Sequence, residues 1–155
     1  MDLEVELQRR VEAGMEAILC ITRTPLAFRH NDLGGDPVEA GAARTPQEVF
    51  QHHAEVLIAG DLEGIVSDYS DDAVFITPAG VQRGKDGVRA GFTKLLEDVP
   101  SAAWDVPTQI FEGDVLFIEW KAESEKTRVE DGIDTFVFRD GRIRVQTVRY
   151  TLLQK

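Results

Sequence analysis

Asp134 lies in the run Gly132-Ile133-Asp134-Thr135-Phe136-Val137-Phe138, ahead of the turn Arg139-Asp140-Gly141-Arg142 and a second run from Ile143 to Tyr150. Two runs rich in β-branched and aromatic residues, joined by an Asp-Gly that tolerates positive φ, predict a long antiparallel hairpin. Side chains alternate along a strand, so Asp134, Phe136 and Phe138 share one face while Thr135 and Val137 share the other. A carboxylate among phenylalanines must be partnered or neutral, and such surroundings shift its pKa into a range where proton transfer becomes useful. Asp134 is therefore the leading acid/base candidate. Other chemistries lack a signature. No Gly-x-Ser-x-Gly elbow is present, and the single cysteine, Cys20, sits among Ala17, Ile18, Leu19 and Ile21 as a small hydrophobe. His30, His52 and His53 do not have the spacing of a ligand set, so neither a metal nor another cofactor is expected.

With 155 residues, 43% of them hydrophobic, the chain is long enough for one domain with a real core and short for two. A formal charge of -11 and a pI near 4.7 leave no basic stripe for a phosphate backbone, so no nucleic-acid partner is expected. No run of about 18 apolar residues exists, and the acidic N-terminus lacks the basic flank of a leader. The sequence alone thus predicts a protein of the cytoplasm with no membrane partner and, with one cysteine, no disulfide framework.

The elements that position Asp134 follow from pattern. Leu3, Leu7, Val11 and Met15 form an apolar stripe that predicts an amphipathic helix over residues 2–19. Pro25, Gly34, Gly35, Pro37 and Gly41 break any period in the connecting segment that follows. Thr45-Pro46-Gln47-Glu48 is a capping box with proline at the first helical position, and the helix it opens carries Val49, Phe50, His53, Val56 and Leu57 on one face before stopping at Gly60. A short helix from Leu62 to about Asp68, a strand from Ala73 to Thr77, and a third helix over residues 85–97 come next. Strands from Trp104 to Phe111, with Pro107 marking an edge or bulge, and from Val115 to Ser124 precede the terminal hairpin. Helices first and a meander of long strands later give an α+β domain.

The segment Ala59-Gly60-Asp61-Leu62-Glu63-Gly64-Ile65-Val66, followed by Tyr69-Ser70-Asp71-Asp72-Ala73-Val74-Phe75, resembles the opening of the NTF2-like superfamily. More closely it is similar to the branch of ketosteroid isomerases and SnoaL-type polyketide cyclases. Arg83-Gly84 and Gly132-Ile133-Asp134-Thr135-Phe136 agree, and the resemblance covers residues 46–153. It implies a cone in which a curved antiparallel sheet wraps three helices around an apolar pocket. The helix read from the apolar stripe is extra to that cone: residues 1–45, outside the resemblance, would hold it and the connecting segment, and 46–155 the NTF2-like domain. By the same resemblance, Asp134 matches the acid that ketosteroid isomerases keep protonated, and His53 takes the place of the tyrosine beside it. Thr77 stands where the base carboxylate would be and cannot serve as a base near neutral pH. Tyr69 matches a supporting tyrosine, and Phe92 replaces another. The isomerase set is therefore incomplete, whereas cyclases resembling SnoaL need only one acid/base carboxylate. Epoxide hydrolases resembling the limonene enzyme use two aspartates bridged by arginine, but alternation from Tyr150 turns Arg149 outward.

Alternation directs Asp134, Trp120, Gln146, Val148 and Tyr150 inward, with His53 across on the helix. Phe75, Thr77, Tyr69, Phe92 and Phe136 complete the expected pocket. Trp120 or His53 would bond the Asp134 carboxylate. In one reading His53 and Asp134 are an acid/base pair for an isomerase or cyclase acting on a steroid- or polyketide-like molecule, the histidine working near its unperturbed pKa. In the other they form a satisfied polar cluster in a non-catalytic binding or dimerisation module. His52 is expected at the surface. The expected partners are a small apolar, oxygenated molecule and a second copy of the chain, because Thr135, Val137, Val145 and Thr147 leave the outer sheet face uncharged.

Overall fold

The computed structural model describes residues 43–155, so the helix expected over residues 2–19, most of the connecting segment, Cys20 and His30 lie outside the described residues. Helix α1 (Pro46–Ile58) begins as its capping box requires: the Thr45 hydroxyl accepts from the Glu48 amide at 3.2 Å, and the Glu48 carboxylate accepts from the Thr45 amide at 2.7 Å. Gly60, at φ +68, ends the helical run, and the Asp61 side chain caps α2 (Leu62–Ser67) through the Gly64 amide. The rest of the order is β1 (Tyr69–Thr77), β2 (Gly80–Arg83), α3 (Gly84–Asp98), β3 (Ala103–Glu112), β4 (Val115–Glu123), β5 (Thr127–Arg139), β6 (Arg142–Arg149) and β7 (Leu153–Gln154).

The strands form one curved, unclosed sheet in the order β2-β1-β6-β5-β4-β3, with β7 added on β5. Every pair is antiparallel except β1 with β6. The core lies between the sheet and the helices, where Phe50 of α1 meets Phe136 edge-on at 5.6 Å and Phe92 of α3 meets Phe75 at 5.6 Å. Burial of such rings is the main stabilising term, each contributing about 1.5–3 kcal/mol relative to exposure. Among the described residues no helix is long and apolar enough to cross a membrane.

Three differences from the sequence expectation bear on the site. Strand β1 starts at Tyr69 rather than Ala73 because Tyr69 pairs with Ile143, after which the register shifts until Val74 pairs with Val145. Strand β6 carries a bulge at the same level: Phe138 pairs with Ile143 and Val137 with Val145, leaving Arg144 as the extra residue. Strand β2 was not legible, since all four of its residues are exposed and show no apolar alternation. Other expectations hold. Asp140 and Gly141 have φ of 52 and 71, the two positive values a tight hairpin turn needs. Strand β3 is an edge strand, with its register shift between Asp105 and Thr108 around Pro107.

Candidate functional site

Asp134 is buried on β5, opposite Ile118 on one side and Val148 on the other. Its two oxygens have different partners. Trp120 Nε1 donates to Oδ1 at 2.8 Å, and Gln146 Nε2 donates to Oδ2 at 2.8 Å. Trp120 pairs across the ladder with Gly132, and its indole lies over the bare glycine backbone, where a Cβ would collide with three ring carbons. Gly132 therefore lets the tryptophan lean along β5 to the carboxyl. Gln146 is held in turn by Tyr69, whose hydroxyl donates to Gln146 Oε1 and so keeps the amide NH2 turned toward Asp134.

Burial pushes the Asp134 carboxyl up to about 7 from an ordinary 3.8, against the opposing effect of the Trp120 and Gln146 bonds. Near neutral pH the carboxyl is therefore poised between acid and anion. An indole N–H and an amide NH2 only donate, so the proton of the neutral acid finds no acceptor on either group. That leaves the cleft in front of Asp134.

The cleft lies between α1, α3 and strands β3 to β5. Of the expected site residues, His53, Phe92, Trp120, Asp134 and Phe136 line it. Its remaining wall includes Phe50 and Leu57, one helical turn either side of His53, and Trp104 and Val106 on β3. The free volume is about 40 Å³. That is room for a few water molecules, whereas a cavity that takes up benzene measures roughly 150 Å³.

His53 is also buried, within the rings of Phe50, Tyr69, Phe92 and Phe136 at centroid distances of 5.5 to 6.4 Å. Its Nδ1 has no hydrogen-bond partner among the described residues. Burial lowers its pKa to about 4, with Asp68 opposing and His52 adding to the shift. Of the two partners expected for the Asp134 carboxyl, Trp120 makes the bond and His53 does not. One expectation is corrected: His53 is neutral at pH 7 rather than titrating near its ordinary 6.5.

The other expected residues sit around the cleft rather than in it. Tyr69 and Gln146 support Asp134 from behind. Val148 is buried in the core beside it, and Phe75 packs against Phe92. Tyr150 packs at a tilt against Trp120, ring centroids 5.4 Å apart, and donates its hydroxyl to Asp98 at 2.7 Å. Thr77 ends β1, its hydroxyl accepting from the Ala79 amide in the following turn at 3.2 Å, away from the cleft. His52 keeps a partly exposed side chain, as expected, and its Nδ1 also lies 2.8 Å from the buried Asp68 carboxylate, which receives Arg44 at 2.9 Å. Phe50 and Leu57 were within reach of sequence reasoning as the helical stripe around His53. Trp104 and Val106 were not, because the shift at Pro107 breaks the alternation that would have placed them.

Comparison with curated proteins finds no match. Solved structures with the same fold include a SnoaL-like protein of unknown function from Burkholderia thailandensis, 21% identical over 74% of this chain and 99% of that one, with a TM-score of 0.57. A protein from Kribbella flavida provisionally named a ketosteroid isomerase is 12% identical, over 66% of this chain and 75% of that one, with a TM-score of 0.56. One from Sinorhizobium meliloti provisionally named a polyketide cyclase is 13% identical, over 64% and 92% of the two chains, with a TM-score of 0.52. These likenesses show the NTF2-like cone. The model of the SnoaL-like domain matches residues 50–146, from the phenylalanine that closes the cleft to the glutamine that holds Asp134, and the chain belongs to that family.

Proposed function

We propose that the protein binds a small apolar molecule through an oxygen acceptor placed against Asp134, and that the neutral Asp134 carboxyl donates to this oxygen in acid/base chemistry of the isomerase or cyclase type. One observation carries the reading: both carboxyl oxygens already receive donors, so the acid's own proton is left for whatever enters the cleft. A carbonyl that becomes an enol or enolate is the group such a donor serves best. His53, neutral and with an unpaired nitrogen, then supplies a second polar contact rather than a cationic one. A ligand of steroid or polyketide size fits only if the wall of Leu57, Trp104 and Val106 moves outward, and β3 is an edge strand with an irregular register at that point.

The two tryptophans of the chain, Trp104 and Trp120, both line this cleft, so intrinsic fluorescence reports on it directly. Titration with cyclic enones and phenols of increasing ring number should give a saturable change, weakened on the order of tenfold in Asp134→Leu, which removes the donor. No saturable change with any of them would overturn the ligand-binding reading.

The narrow cleft favours a second reading, in which the aromatic side chains fill the pocket and the domain serves for association alone. Both readings include a dimer of the chain through the outer sheet face. There Val81, Ile76, Thr147, Thr135, Phe117 and Ile110 form a continuous cross-strand row, with Val81 54% and Ile110 57% exposed. Sedimentation should give a dimer at micromolar concentration and a monomer for Thr135→Lys, since a lysine mid-row would have to be buried unpaired. A monomeric parent protein would remove the dimer from both readings.

A further inference from the structure

A second cleft, of about 680 Å³, opens on another part of the molecule, beside the turn between β5 and β6. It shares no residue with the cleft of Asp134. Two strand irregularities meet there. The register break of β1 swings Ser70, Asp71 and Asp72 into its wall, and the β6 bulge brings Arg144. Lys85 from the first turn of α3, and Arg139, Asp140 and Arg142 from the hairpin end, complete it.

The charges are unequally committed. Lys85 lies 3.5 Å from Asp71, and Arg144 lies 3.2 Å from Asp72, while Arg144 also donates to the Asp72 carbonyl at 2.6 Å. Arg139 and Arg142 have no carboxylate partner among the described residues; Arg142 reaches only the Ser67 carbonyl, at 3.4 Å. They are also direct cross-strand partners, Arg139 opposite Arg142. Like charges placed directly opposite destabilise a hairpin. A chain with 28 acidic and 17 basic residues has abundant means to avoid such a pair. A bound anion turns the repulsion into a clamp, because two guanidinium forks present parallel donors that match tetrahedral oxygens.

We infer that this cleft is an anion site in which Arg139 and Arg142 together grip a phosphate-type dianion, while Lys85 and Arg144 offset Asp71 and Asp72 in its wall. The inference stands apart from the proposed chemistry at Asp134. The ligand is either free phosphate or a phosphate ester of a small molecule, the two sharing the same oxygens.

The test uses the full chain, labelled with nitrogen-15, titrated with inorganic phosphate, glycerol phosphate, acetate and sodium chloride at matched ionic strength. Saturable shifts of the Gly141 amide and of the Arg139 and Arg142 side-chain Nε–H signals are expected with phosphate or its ester. Tighter binding of one over the other identifies the source. Arg139→Gln should weaken binding on the order of tenfold. The same substitution should raise the melting temperature in phosphate-free buffer, by relieving the pair, and shrink the rise that phosphate produces in the parent protein. Equal shifts with chloride or acetate, or unchanged phosphate affinity in Arg139→Gln, would overturn the site. Tryptophan fluorescence should stay constant throughout, since both indoles line the other cleft.

Discussion

Asp134→Asn should make the protein more stable above about pH 7, by as much as about 4 kcal/mol. In the folded protein the carboxyl titrates near 7, and in the unfolded chain near 3.8. Below the lower value both states hold the proton, and the full stability is present. As pH rises from 3.8 to 7 the unfolded chain ionises while the folded one does not, so stability falls and the deficit is complete above 7. Asparagine cannot ionise and removes this deficit. It keeps an acceptor for Trp120, and Gln146 need only turn its amide over, which the Tyr69 hydroxyl tolerates as either donor or acceptor.

His53 acts with the opposite sign. Its folded pKa is depressed to about 4 from 6.5, so the stability tied to its neutral form is complete above 6.5 and is lost as pH falls toward 4, by about 3 kcal/mol. Across this window the two groups nearly cancel in the parent protein. In Asp134→Asn only the histidine remains, and stability should decline steeply on acidification. Urea unfolding followed by fluorescence across this pH range measures both curves. Parallel curves for parent and variant would mean that Asp134 is not held neutral in the fold, and the proposed donor would be lost with it.

Gly132→Ala should cost about 3 kcal/mol, at the upper end of what overpacking does to a core. The new methyl meets the Trp120 ring atoms Cδ2, Cε2 and Cε3 from directly beneath. The strand cannot yield, because β5 is paired with β4 on one side and β6 on the other. The indole cannot swing freely either, being packed between Trp104 and Tyr150, each at 5.4 Å. It must leave Asp134, and a carboxyl that loses a donor to its anion titrates still higher. Trp120→Phe separates the two effects, since it removes the N–H and keeps most of the ring. The expected pattern is a raised Asp134 pKa in both variants, by carbon NMR, with the larger loss of stability in Gly132→Ala. An unchanged Asp134 pKa in both would show that the indole does not tune it.

Much of this site was legible because its members lie on one hairpin and the neighbouring strand. A period of two residues and the turn at Asp140-Gly141 fix the face of Asp134, Phe136 and Gln146 and bring Trp120 to the same side. The capping box fixed the start of α1 and hence the helix face that carries His53. What sequence could not supply was distance across layers. Whether His53 reaches Asp134 depends on how α1 sits over the sheet, and it sits so that the glutamine of β6 is nearer. Thr77 was carried in by resemblance to a family whose base stands at the end of that strand, yet here the strand end turns away into a hairpin. Gly132 gave no sign of its role, since it is the diagonal lean of Trp120 that makes its missing side chain matter. The partner of His52 was equally hidden, sixteen positions along the chain at Asp68.

That buried carboxylate also ties the fold to a residue ahead of its first helix. Arg44 lies ahead of α1 and ahead of the first residue matched by the family, yet its guanidinium holds Asp68 and the Gly141 carbonyl at once, joining the chain's approach to α2 and the distant hairpin. An excised domain that begins at the capping threonine would keep every helix and strand described here. It would also leave the enclosed Asp68 carboxylate without the permanent charge of the guanidinium, with His52 as its neighbour at 2.8 Å. In electrostatic terms the described fold thus reaches back to Arg44, one residue ahead of the capping threonine.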